Sequence, residues 1–211
     1  MIDGPRVGPA SGAPARSLVI LLHGYGSNGD DLISLAPHWR GALPTTAFMA
    51  PNAPEPCPGA AGGYQWWALT GGDRALGAAS AAPVLDAFID AELVRHGLDD
   101  SRLALVGFSQ GTMMALQVGP RRPRRLAGIV GYSGMLADEA GLAAPGVTRP
   151  PILLIHGDAD PMIPVAALHR AEDTLARNGF EVERHVSPGL GHSIDLAGLQ
   201  LGERFLARVL A

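Results

Sequence analysis

The chain has 211 residues, with 28 Gly, 18 Pro, 47% hydrophobic and 17% charged residues, a composition that excludes disordered, collagenous and coiled-coil proteins. At this length one globular domain, residues 1–211, can bury roughly 70% of its unfolded surface without staples, and a single cysteine, Cys57, excludes a disulfide framework. All sixteen basic residues are Arg, set against twenty acids for a net charge of −4, so lysine Schiff-base chemistry, a P-loop lysine and an electrostatic footprint for nucleic acid are all missing.

The start, Met1-Ile2-Asp3-Gly4-Pro5, places an acid, Gly and Pro where a signal peptide needs a basic end and an apolar stretch, and a cytoplasmic location is expected. The longest clean apolar run is Leu18 to Leu22, too short to span a bilayer, so no integral membrane association is expected. Further runs follow at Thr45–Ala50, Leu103–Val106, Ala127–Tyr132, Ile152–Ile155 and Glu181–Val186. Between them, Pro83 to His96 puts Val84, Leu85, Phe88, Ile89 and Leu93 on one helical face, and Leu199 to Leu210 does the same with Phe205, Leu206 and Val209. Strands alternating with helices predict an α/β fold with a doubly wound, mostly parallel sheet. Pro51 to Gly63 reads as a long, proline-stiffened loop. Only Ser133 to Pro151 separates the fourth and fifth runs, too little for a cap domain.

On such a sheet ligands sit at the carboxyl ends of the strands. There the chain places His23-Gly24-Tyr25-Gly26, Gly107-Phe108-Ser109-Gln110-Gly111, His156-Gly157-Asp158-Ala159-Asp160 and Gly189-Leu190-Gly191-His192. Gly107-x-Ser109-x-Gly111 between a strand and a helix matches a nucleophile elbow, which thrusts a serine hydroxyl out at the sheet edge. Serine is a poor nucleophile unless an imidazole takes its proton and an acid orients that imidazole. Ser109, Asp160 and His192 stand in the expected order of serine, acid, histidine. Asp158 lies two residues from Asp160 in the same turn, and Asp160-Pro161, which ends that turn before a helix, favours Asp160. The amides of Gln110 and Tyr25 are candidates for an oxyanion hole, with His23 a structural residue beneath it. Leu69, Met135, Met162 and a tryptophan, Trp66 or Trp67, offer apolar contact to an acyl chain.

The set Leu22-His23-Gly24-x-Gly26, Ala50-Pro51-x-Ala53-Pro54, Gly107-Phe108-Ser109-Gln110-Gly111, His156-Gly157-x-x-Asp160-x-x-Ile163-Pro164 and Gly191-His192 resembles the phospholipase/carboxylesterase group of α/β-hydrolases, which includes acyl-protein thioesterases and small bacterial carboxylesterases. The resemblance spans nearly the whole chain. It implies a serine carboxylesterase with no cofactor or metal, acting on small-molecule esters, thioesters or lysophospholipids, with Ser109, Asp160 and His192 as triad and Trp66 or Trp67 lining the substrate groove. It also leaves a homodimer open. Tyr25 stands where many relatives carry Leu, and Trp66-Trp67 where some carry Trp-Phe.

Other readings compete. Gly24-Tyr25-Gly26-Ser27-Asn28-Gly29 matches a dinucleotide fingerprint after a strand, the mark of an oxidoreductase, but the second strand ends in Ala50-Pro51-Asn52 with no acid for a ribose hydroxyl. His156, Asp158, Asp160 and His192 are ordinary metal ligands, without a metal-site spacing. The run Arg121-Arg122-Pro123-Arg124-Arg125 reads as a solvated loop whose charges favour the end of the preceding helix.

Overall fold

The computed structural model describes residues 2–69 and 72–211. All six apolar runs are strands, and they lie parallel. They are β2 (Ser17–Leu22), β3 (Thr46–Met49), β6 (Leu103–Phe108), β7 (Gly128–Tyr132), β8 (Ile152–Gly157) and β9 (Val182–Ser187). With β1 (Arg6–Val7), which pairs antiparallel to β3, they form a seven-stranded sheet in the order β1-β3-β2-β6-β7-β8-β9. Strand β2 is buried at every position, and its pleat divides the core in two. Leu18, Ile20 and Leu22 pack on one face and Val19 and Leu21 on the other, which is why its sequence is apolar throughout instead of alternating.

The first face is covered by α3 (Arg74–His96), α4 (Gln110–Val118) and α5 (Ala166–Arg177). The second is covered by α1 (Gly29–Ile33), α2 (Ala36–Trp39) and α6 (Leu196–Val209), where Trp39 Nε1 donates to the Leu199 carbonyl at 3.0 Å. Helix α3 begins nine residues before Pro83, the position at which the apolar pattern alone starts it. Asp73 caps it by accepting from the Ala75 N–H, and proline is tolerated inside because the carbonyl it leaves unpartnered, that of Ala79, lies on the exposed side. The Pro51–Gly63 stretch is likewise more ordered than a loop. Its β4 (Glu55–Pro56) pairs with β5 (Tyr64–Gln65), and that ribbon is tied to the turn after β2 by Gly26 N–H to Tyr64 O at 2.9 Å and Tyr64 N–H to Ser27 O at 2.7 Å. Among the described residues no helix is long and apolar enough to cross a membrane.

The arginine run departs from the reading of a solvated loop. Arg121 does meet the end of α4, donating to the Gln117 carbonyl at 2.7 Å, but Arg122 is buried. Its guanidinium donates to Asp100 at 2.9 Å, Asp86 at 3.0 Å and Asp90 at 2.6 Å, clamping α3 to the turn that feeds β6. Burial opposes its charge, and the three carboxylates outweigh that and raise its pKa. Asp100 is as buried as its partner, whereas Asp86 and Asp90 keep partial contact with water. Arg122→Ala should therefore strand chiefly one buried carboxylate and lower stability by about 3 kcal/mol, read as a fall in the urea midpoint at unchanged m value.

Candidate active site

Strand β6 passes into α4 through Ser109, whose φ of 54° and ψ of −116° lie outside the ordinary regions for a residue with a side chain. The strain is held by packing on both sides of the turn. A Cβ on Gly107 would lie 2.4 Å from the Gly111 backbone, and one on Gly111 would lie 1.8 Å from the Leu22 carbonyl oxygen, so both positions exclude any side chain. The Ser109 N–H donates to Tyr132 O at 2.9 Å, pinning the elbow to β7. Gln110 is the first residue of α4, and its N–H is one of the helix-start amides that no carbonyl of the helix can reach.

The turn after β2 comes alongside, since Gly24 packs on Phe108 and Ser109. His23 beneath it is fully buried, donates from Nδ1 to Gly24 O at 2.7 Å and accepts from the Ala53 N–H at Nε2, at 2.9 Å. These two bonds define a neutral tautomer, and burial lowers its pKa in agreement. His23 is thus a brace for the turn that carries the Tyr25 amide. The Gln110 side chain is a second brace. Its Oε1 accepts from the Trp66 N–H at 3.0 Å and its Nε2 donates to Trp67 O at 2.8 Å.

Two further turns supply the acid and the imidazole. His192 Nδ1 lies 2.7 Å from Asp160 Oδ2, and Asp160 Oδ1 accepts from the Met162 and Ile163 N–H groups at 2.8 and 2.9 Å. His156 Nε2 donates to the Ile163 carbonyl at 2.8 Å and sits 3.3 Å from Asp160 Oδ2. Burial alone would raise the Asp160 pKa, but the Ile163 amide, His192 and the Met162 amide outweigh it and hold the carboxyl below its ordinary value. Asp158, the competing acid, is exposed and accepts from the Gly189 N–H at 2.6 Å, so it shapes the loop bearing His192 without meeting the ring. The metal alternative loses its donors here, because Asp158 turns away and the His156 Nε2 lone pair is taken by its proton.

Ser109 and His192 line one cleft of about 660 Å³, with Leu69, Met135 and Met162 among its apolar walls, together with Met113 and Ile163 that the sequence reading did not select. Trp66 and Trp67 are not among the lining residues. Both are buried in the core, Trp66 with Nε1 donating to His23 O at 3.0 Å, and they support the turn from below. Their aromatic area is spent on packing, which a pair of adjacent tryptophans in a loop did not reveal. His156 and the Gln110 side chain were also missed as supports, and only the His-Gly-x-x-Asp and Ser-Gln spacing could have flagged them.

The dinucleotide reading fails on the same turn. Helix α1 is five residues long, its start is occupied by Asn28 Oδ1 accepting from the Asp31 N–H and Asn52 Oδ1 accepting from the Gly29 N–H, and the ribbon covers Gly26. The amides of Gly26, Ser27, Gly29 and Asp31 are thus already spent within the protein, which leaves no run of free amides of the kind that cradles a pyrophosphate.

A family model for phospholipase/carboxylesterase proteins matches residues 7–210. Acyl-protein thioesterase 1 of Schizosaccharomyces pombe is 34% identical over 205 residues, 91% of this chain and 90% of that one. Esterase YpfH of Escherichia coli K12 is 29% identical over 192 residues, 89% and 80% of the respective chains. Among solved structures, that of esterase PE8 superposes with a TM-score of 0.94 at 44% identity, covering 99% of both chains. The chain belongs to the phospholipase/carboxylesterase family of α/β-hydrolases and is a carboxylic ester hydrolase.

The lowered Asp160 pKa sets a pH dependence for stability. Its contribution is complete above the unfolded carboxylate pKa of about 3.9 and is lost as the pH falls through the lower folded value. The gap in urea midpoint between the native chain and Asp160→Asn should hold steady above about pH 5 and narrow below about pH 4. A series of urea melts from above about pH 5 to below about pH 4 checks it.

Proposed function

We propose that the protein is a serine esterase that cleaves short- to medium-chain carboxylic esters or thioesters through an acyl-enzyme on Ser109. The observation that carries this is the His192–Asp160 pair at 2.7 Å opening into the same cleft as the strained elbow serine. In this reading Ser109 Oγ attacks the substrate carbonyl carbon while His192 Nε2 takes its proton. The Asp160 carboxylate holds the Nδ1–H tautomer and stabilises the imidazolium that forms. The tetrahedral oxyanion is received by the Tyr25 and Gln110 amides, and His192 returns the proton to the departing alcohol or thiol. Water then repeats the sequence on the acyl-enzyme, with His192 first as base and then as acid. The acyl-protein thioesterase name of one relative and the esterase name of another support an ester or thioester carbonyl as the target.

Ser109→Ala should lower kcat by about 10⁶, leaving what binding and the oxyanion hole contribute, and a fluorophosphonate should label Ser109 but neither Ser133 nor Ser193. Asp160→Asn should cost about 10⁴ in kcat by favouring the wrong imidazole tautomer, against less than about tenfold for Asp158→Asn. Steady-state kinetics and peptide mapping of the label check both.

The cleft's rim also speaks to access. Leu69 and Met162 are 48% and 72% exposed, and residues 133–151 after β7 hold only a short helical turn, Ala140–Ala143. Hydrolysis of an ester series should follow ordinary saturation and cross the critical micelle concentration without a jump in rate. A sharp rise at that threshold would mean that a mobile cover guards the site.

A further inference from the structure

The catalytic cleft is walled mainly by apolar side chains, and four charged or titratable residues face it: His192, Asp31, Arg74 and Tyr25. Asp31 follows β2, with Oδ2 accepting from Ser27 Oγ at 2.6 Å. Arg74 opens α3, and its Nη1 lies 3.1 Å from the Met135 sulfur, on the segment after β7. Since β2 and β7 are the two neighbours of β6, Asp31 and the Arg74 guanidinium sit on opposite flanks of the strand that presents Ser109. Among the described residues Arg74 makes no ion pair. A thioether is a weak acceptor that leaves the cation's hydrogen-bonding capacity largely unspent.

Beyond Arg74 and Met135 a second cavity of about 510 Å³ continues, and it is lined by further charge. Arg170, which lines it, pairs with Glu139 at 2.6 Å, its Asp138 pairs with Arg121 from outside the cavity at 2.8 Å, and Asp73 caps α3. Asp138 and Glu139 are thus neutralised by their partners, and among the described residues Arg74 is the guanidinium lining this cavity that has no ion pair. Arg74 stands where the apolar cleft meets this second cavity, and among the described residues it is the one guanidinium lining the cleft.

We infer that Arg74 is a specificity-determining residue that binds an anionic group of the substrate, so that the preferred esters carry a carboxylate or phosphate at the Met135 end of the cleft. Asp31 on the other flank disfavours the reversed orientation. This inference rests on the proposed Ser109 chemistry and adds the substrate class. The anion can belong to the acyl part, as in a monoester of a dicarboxylic acid, or to the alcohol part, as in an ester of a phosphorylated alcohol.

The test compares three substrates of matched length: a neutral ester, the same ester with a terminal carboxylate on its acyl chain, and one with a phosphate on its alcohol. The readout is the ratio of anionic to neutral kcat/KM within each enzyme, which cancels general loss of activity. Arg74→Gln should lower the ratio at least about tenfold for one of the two anionic substrates, mainly through KM, the scale of one charge-assisted hydrogen bond. Arg74→Lys should retain part of the ratio, Arg74→Glu should depress it further, and the effect should shrink with added salt. Whichever anionic substrate responds identifies the end that faces Met135. Ratios unchanged in Arg74→Gln and Arg74→Glu for both would overturn the role of Arg74. Failure of the native enzyme on all three esters, or full activity of Ser109→Ala, would instead overturn the proposed chemistry beneath it.

Discussion

The contact on which the rest of the site depends is backbone against backbone, the first turn of α4 lying directly on the carbonyl end of β2. With only 1.8 Å between the site of a Cβ on Gly111 and the Leu22 oxygen, no other residue fits, and the approach brings two separate turns to one point. The elbow residue is driven to a positive φ as a result, and the turn that carries the Tyr25 amide is drawn beside it. Strand β6, buried on both faces, and a wholly buried α4 supply the apolar area that holds this strain in place.

Around that contact the stabilising elements are polar and nearly all satisfied. His23 joins two backbone segments, the Gln110 side chain reads both polar directions of the Trp66-Trp67 backbone, and Trp66 returns a hydrogen bond to the His23 carbonyl. A closed web of this kind in a low-dielectric interior fixes geometry more narrowly than apolar packing can, because each misplaced member leaves a buried donor or acceptor unpaired. The Asp160 turn follows the same logic. Two backbone amides on one oxygen and the His192 imidazole on the other hold the carboxylate ionised and aimed.

Charge away from the cleft serves the fold. Arg122 gathers three carboxylates from α3 and the segment before β6, so the arginine-rich run that looked like a solvated face contains the most committed cation described here. Arg74 is its opposite, a cation with little to bind inside the protein, and it lines the cleft that Ser109 and His192 share.

The sequence by itself determined the parallel order of elements, the elbow, the order of serine, acid and histidine, and the place of four loaded turns at the strands' carboxyl ends. Those features are local: apolar runs of strand length, glycines flanking a serine, and one loop histidine are legible because each depends on neighbours within a few residues. The proline after Asp160 favoured it over Asp158 in the sequence, and tertiary structure adds the physical difference, the His192 ring opposite Asp160 and the Gly189 amide opposite Asp158. It also moved Trp66 and Trp67 from the groove into the core, buried Arg122, carried α3 through Pro83 and brought Arg74 to Met135, 61 residues away. The reason is common to all of these: a side chain's partner across the sheet is set by how distant segments pack, and no pattern within either segment records it.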